Sequence, residues 1–186
     1  MNKAIIAMAM VMSFGALAHA GVEGKLEVGA GLYNSMPMGS EFKDAAKSSL
    51  GFNLYGDYKI NDMFTAGLEL SNSFGYESKV VSTIDITSMM IGVRGKYVKP
   101  MDFGSKKGKI YGILGLANYS FATDPSSTWE DSGIGFSLGG GIDLEVASNI
   151  LAGFELRYHM ITVEDNVGAD FNAGHLVPML KVGYSF

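Results

Sequence analysis

The stretch Ile134-Gly135-Phe136-Ser137-Leu138-Gly139-Gly140-Gly141-Ile142-Asp143-Leu144-Glu145-Val146 decides the fold class. Ile134, Phe136, Leu138, Ile142, Leu144 and Val146 hold one parity. Gly135, Ser137, Gly139, Gly141, Asp143 and Glu145 hold the other. Successive strand side chains point to opposite faces, so a period of two marks a strand with one apolar and one polar face. An amphipathic helix needs a period near 3.6, and so many glycines would weaken it. The run is also far longer than the ~5–6 residues of an ordinary strand.

The same alternation recurs on both sides of this run. Towards the N-terminus it sets Leu26, Val28, Ala30 and Leu32 against Glu27, Gly29 and Gly31. It then sets Phe52 and Leu54 against Asn53 and Tyr55, Ala66 and Leu68 against Gly67 and Glu69, and Ile91 and Val93 against Gly92 and Arg94. Towards the C-terminus Phe154, Leu156 and Tyr158 alternate with Glu155, Arg157 and His159, and Leu180, Val182 and Tyr184 with Lys181, Gly183 and Ser185. Residues 110–121 are strand-like, but apolar residues occupy both parities and leave the faces open. Eight stretches of roughly 10–14 residues match the ~9–11 residues of a tilted membrane-crossing strand. The connectors at 35–48, 76–82, 123–132 and 163–174 are long, and those at 61–62 and 147–149 are tight. The connector at 99–108 departs from the pattern by being long. The expected fold is an all-β, eight-stranded antiparallel up-and-down transmembrane β-barrel.

Composition narrows the function classes. The chain has 186 residues, 25 Gly, no Cys and a formal net charge of -5. That length suits one domain. Without cysteine there is no disulfide scaffold, thiolate metal site or cysteine nucleophile. The acidic balance and the lack of a basic footprint argue against nucleic acid. At the N-terminus Lys3, the apolar run 4–17 and Ala18-His19-Ala20 have the form of a secretory signal peptide cleaved after Ala20. Residues 1–20 are therefore expected to be the signal and 21–186 the barrel.

Alternation alone does not say which face meets the core. A lipocalin-like soluble barrel also has eight strands and turns its apolar face inward. The polar parity carries Lys25, Lys59, Arg94, Lys96, Arg157 and Lys181 beside Glu27, Asp57, Glu69, Asp143, Glu145 and Glu155. So balanced a set suggests pairing in a confined lumen, because buried charges are tolerable only when paired. An ion-pair network is expected among Glu27, Glu69, Arg94, Lys96, Asp143, Glu145, Glu155, Arg157 and Lys181. Partners depend on strand register, which the sequence leaves open. The alternative is a charged face that simply meets water.

The chain ends Leu180-Lys181-Val182-Gly183-Tyr184-Ser185-Phe186. Alternation finishing on a terminal Phe, with the glycine-rich strand at 137–143 and Glu155-Leu156-Arg157-Tyr158, resembles the small eight-stranded bacterial outer-membrane β-barrel superfamily of OmpA transmembrane-domain, OmpX and opacity-protein types. The resemblance spans 21–186. It implies export to the bacterial outer membrane, with lipid and lipopolysaccharide around the barrel. It also implies Tyr184 and Phe186 as the signal read by the barrel assembly machinery.

Little in the sequence suggests catalysis. His159 and His175 lack the spaced partners of a metal site. Gly139-Gly140-Gly141 has neither the following helix nor the Gly-Lys-Ser/Thr of a phosphate loop. Barrel lipid hydrolases of this size use a His-x-Ser pairing, but Met160 and Ile161 follow His159, and Leu176 and Val177 follow His175. No catalytic residue, metal or cofactor is expected. Two classes remain, a structural or surface-interaction barrel and a small passive channel. An eight-stranded lumen filled by side chains favours the first. Partner contact then falls to the outer loops, where Asp124, Trp129, Glu130, Asp131 and Phe171 form a candidate surface for a host, phage or cell-surface ligand. Trp129 can equally belong to an aromatic belt, with the acids only solvated.

Overall fold

The computed structural model describes residues 25–38, 40–79, 85–123, 129–164 and 170–186. The expected signal segment 1–20 and Asp124 lie outside the described residues, as do the side chains of Trp129, Glu130, Asp131 and Phe171. Eight long strands follow one another: β1 (Leu26–Pro37), β2 (Ser49–Lys59), β3 (Phe64–Ser73), β5 (Asp85–Phe103), β6 (Lys106–Thr123), β7 (Trp129–Ala147), β8 (Ile150–Glu164) and β10 (His175–Ser185). Two short strands, β4 (Tyr76–Glu77) and β9 (Asp170–Asn172), and a helix, α1 (Ser40–Ala45), lie in the connectors. Each long strand pairs antiparallel with its neighbour, and β10 pairs with both β8 and β1. The sheet closes on itself, which removes the free edges of an open sheet.

Three tight connectors gather at one end. In the β2–β3 turn Asn61 Oδ1 accepts hydrogen bonds from the backbone N–H groups of Met63 and Phe64, both at 2.9 Å. The β7–β8 turn places Asn149 at φ 64, a left-handed conformation that Asn tolerates. The third corrects the sequence expectation. Residues 99–108 are not a long connector, because β5 and β6 stay paired down to Phe103 and Lys106 and turn at Gly104, φ 66. Pro100 is compatible with this strand. The Val98 N–H donates to Met63 O at the end of β3, so the Pro100 nitrogen two residues on points past the last acceptor.

The burial pattern inverts that of a soluble protein. Leu180 is 69% exposed and Leu32 67%, while Glu155 is 0% and Asp143 1%. Apolar residues thus clothe the outside and charges fill the inside, which suits a hydrocarbon surround and excludes the lipocalin-like alternative. Exposed aromatic residues ring the tight-turn end. Phe64 packs edge-on against Tyr97 with centroids 5.4 Å apart, and Tyr184 against Phe186 at 4.9 Å. Phe186 is tied down by its N–H, which donates to Leu26 O at 2.9 Å.

Residues 110–121 now have definite faces. Tyr111, Ile113, Ala117, Tyr119 and Phe121 point inward, and Leu114 and Leu116 outward. Both parities are apolar because the loop end of the lumen is itself apolar. There Phe42 of α1, Ala46 and Tyr76 enter the mouth and pack on Met90, Ala117, Tyr119, Phe121, Ile161 and Ala173. Phe42 meets Tyr76 and Phe121 edge-on at 5.1 and 6.0 Å. The Tyr76 hydroxyl donates to Ser35 Oγ at 2.7 Å. On the outer rim Lys47 lies 2.6 Å from Glu77, and its hydrogen bond and charge hold that carboxyl below the usual range.

Candidate functional site: the ionic lumen

Inward parity carries charges from all eight long strands towards one axis. Arg94 on β5 grips Asp57 on β2 bidentately, with Nε–Oδ1 and Nη2–Oδ2 both 2.8 Å, and its Nη1 reaches Glu69 on β3 at 3.3 Å. Lys96 Nζ adds a 2.6 Å contact to Asp57. Glu69 also takes Arg157 Nη1 on both oxygens, at 2.8 and 2.7 Å. Arg157 Nε in turn bonds Glu155 on its own strand. Lys181 on β10 sits 3.0 Å from Asp143 and 3.9 Å from Glu155. Lys109 on β6 joins Asp143, at 3.5 Å, to Glu27 on β1.

The result is one unbroken chain of contacts from Lys96 to Glu27. Five cations (Arg94, Lys96, Lys109, Arg157, Lys181) face five carboxylates (Glu27, Asp57, Glu69, Asp143, Glu155). Two tyrosines fill the space between them. Tyr55 donates to Glu27 Oε1 at 3.2 Å, and Tyr111 to Glu155 Oε2 at 2.7 Å. The Arg94 guanidinium lies 4.3 Å from the Tyr55 ring centre, and Lys96 and Lys181 lie 4.6 and 4.8 Å from that of Tyr111. Charge, hydrogen bonds and ring faces together meet the conditions under which buried ions are tolerated.

Glycine makes the room. A Cβ on Gly29 would stand 2.4 Å from the Tyr55 ring, and one on Gly141 2.3 Å from the Tyr111 hydroxyl. Two placements differ from the sequence expectation. Glu145 is half-buried and forms no ion pair among the described residues. The register shifts between Glu145 and Ala147, so the strand leaves strict alternation there, next to the turn. Lys109, next to the expected connector at 99–108 and outside the expected network, belongs to the chain of ion pairs because β6 begins at Lys106. The tyrosines Tyr55 and Tyr111 carried no charge to flag them. Their signal was the matching glycine on the same parity of a neighbouring strand. Lys25 is exposed and Lys59 pairs with Asp62 at 2.8 Å at the tight-turn rim, outside the chain.

Above the ionic layer His159 and His175 stack with ring centres 4.9 Å apart, and the Tyr119 hydroxyl bonds His159 Nδ1. Among the described residues no cluster of three or more His, Asp or Glu has the form of a metal site.

The barrel resembles several solved structures. Neisserial surface protein A (NspA) aligns at a TM-score of 0.63 and 21% identity, over 87% of this chain and 97% of that one. OprG of Pseudomonas aeruginosa aligns at 0.62 and 16%, over 88% and 96%. Ail, the attachment invasion locus protein of Yersinia pestis, solved with the heparin analogue sucrose octasulfate, aligns at 0.55 and 21%, over 88% and 99%. At these identities the likeness is one of fold. No curated protein matches the chain. The sequence profile of the outer membrane protein beta-barrel domain matches residues 5–186, nearly the whole chain, and the protein belongs to that outer-membrane β-barrel family.

Proposed function

We propose that this outer-membrane barrel is a closed, non-enzymatic scaffold whose outer loops make surface contacts. The observation that carries the reading is the unbroken ion-pair chain across the lumen. Nine of its ten members are buried and Lys109 is half-buried, they join β5 to β1, and Phe42 and Tyr76 pack into the mouth above them. A conducting path would have to part several desolvated pairs at once, each expensive to break. Contact then belongs to the rim, where a rigid barrel presents its loops. Asp124, Trp129, Glu130, Asp131 and Phe171 are its candidate residues, with a host, phage or cell-surface ligand as partner. The Ail neighbour, an attachment invasion locus protein crystallised with a heparin analogue, is compatible with this reading. Export by a signal at 1–20, assembly through Tyr184 and Phe186, and an outer leaflet of lipopolysaccharide complete it.

The experiment is single-channel recording in planar bilayers, paired with whole-cell binding. The closed scaffold gives no sustained, well-defined openings. Deleting 124–131 abolishes surface binding while the barrel still assembles and shows heat-modifiable gel mobility. Steady unitary conductance would instead establish a small passive channel.

A further inference from the structure

The ionic lumen has one arginine that is not fully used. Arg157 spends Nε on Glu155 and Nη1 on Glu69, but its buried Nη2 has no partner within the protein. Of the four other buried atoms in that state, Asn53 Oδ1 and His159 Nε2 lie nearby, whereas Thr65 Oγ1 and Asp143 Oδ1 do not line the same space. Asn53, Arg157 and His159 line one internal cavity of about 30 Å³, between the ion pairs and the plugged mouth. Their exposures are 3%, 3% and 4%, so the surrounding bulk solvent does not serve them. Unpaired buried polar groups are rare because each loses its hydration without compensation.

The chemistry of these atoms selects the occupant. The Tyr119 hydroxyl bonds His159 Nδ1. When that hydroxyl donates, Nε2 carries the proton and is a donor. Arg157 Nη2 is a second donor, and Asn53 Oδ1, whose Nδ2 donates to Ser71 Oγ at 2.9 Å, is an acceptor. An apolar ligand satisfies none of the three. A metal cation is repelled by Arg157. An anion has no excess positive charge to hold it, because the five lumen cations are already matched by five carboxylates. A neutral molecule with two donors and two acceptors remains, and a water needs only ~10–15 Å³ of such space. We infer that Asn53, Arg157 and His159 form a structural water site, in which water accepts from Nη2 and Nε2 and donates to Oδ1. Three bonds is the usual count for a buried water. With the opposite imidazole tautomer water still serves, accepting from Nη2 and donating to both Nε2 and Oδ1. The site joins the ionic layer, through Arg157, to the Tyr119–His159–His175 cluster under the plug.

The test is a high-resolution crystal structure of the wild-type barrel grown with sodium bromide in place of chloride. The expected result is one discrete peak within hydrogen-bond distance of Asn53 Oδ1, Arg157 Nη2 and His159 Nε2, without anomalous bromide signal. A bromide signal there means an anion site, and no peak means a dry cavity; either overturns the proposal. Asn53→Leu should fold and lose the peak. Should that variant fail to fold, oxygen-17 relaxation dispersion on the wild-type barrel decides. At least one internal water of microsecond or longer residence is expected, and its absence refutes the site.

Discussion

Truncating Arg157 to alanine asks whether the lumen charges are one desolvated network. In the native barrel Glu69 receives Nη1 on both oxygens, at 2.8 and 2.7 Å, and Glu155 receives Nε. Arg157→Ala strips both and leaves five carboxylates facing four cations. Neither carboxylate is wholly abandoned. Glu69 keeps Arg94 at 3.3 Å, and Glu155 keeps the Tyr111 hydroxyl at 2.7 Å and Lys181 at 3.9 Å. Breaking a buried pair costs ~3–5 kcal/mol. With those residual partners the expected loss is at the low end, about 3 kcal/mol. At a urea dependence of about 2 kcal/mol per molar, the midpoint falls by about 1.5 M. Lys43→Ala, at an exposed position in α1, should stay within about 0.5 kcal/mol of wild type. The assay is urea unfolding in lipid vesicles, followed by the fluorescence of Trp129, the single Trp, and by the folded gel band. Arg157→Met combined with Glu69→Gln, which removes both sides of the pair, should recover part of the loss. Equal midpoints for Arg157→Ala and Lys43→Ala would refute the reasoning, since they would mean a solvated guanidinium.

Three further outcomes follow from the same geometry. Gly29→Val should sharply reduce the heat-modifiable folded fraction on refolding, because its Cβ would meet the Tyr55 ring at 2.4 Å; unimpaired refolding would show that the ring can swing away. Phe42→Ala should destabilise the loop end, by up to ~3–5 kcal/mol if the plug stays seated, yet leave bilayers silent because the ion pairs lie beneath it. New steady conductance in that variant would make Phe42 the true barrier. An epitope inserted near Ser127 should be labelled on intact cells and one near Ser105 should not, since the long loops and the tight turns lie at opposite ends of the barrel; reversed labelling would invert the orientation.

What the sequence made legible is what period two encodes. At Ile134–Leu144 each residue's parity tells its face, so strand, face and closure by like neighbours could be read directly. The charges at 27, 57, 69, 94, 96, 143, 155, 157 and 181 were legible as inward because they share the parity of glycine and oppose the parity of leucine. Three things were hidden, each for a physical reason. Lys109 lay behind Pro100 and Gly104, whose turn-forming character masked a paired hairpin. Glu145 obeyed the parity, but a register shift beside the turn takes it out of line. The plug by Phe42 and Tyr76 is a contact between two connectors and a distant strand face, and no local pattern reports it.

That plug explains why 110–121 resisted assignment, and it raises the question of what fixes the register there. Period two discriminates between faces only when the two faces differ, and a one-residue slip turns every side chain over. In the upper half of β6 both faces are apolar, so hydrophobicity contributes almost nothing to the choice. The lower half does discriminate. Lys109 bonds Glu27, and Tyr111 bonds Glu155, which pins the odd parity inward for the whole strand. On the neighbouring β5 a slip would push Arg94 and Lys96 into the hydrocarbon, at ~2–4 kcal/mol each near the midplane. The corresponding slip of β8 would expose Arg157 and Glu155. An apolar lumen could fill the same volume, but it would give strands whose two faces look alike to the bilayer. The ion pairs therefore make a contribution that does not depend on their net strength: a barrel slipped by one residue would carry these charges on its lipid face, and the native one keeps them inside.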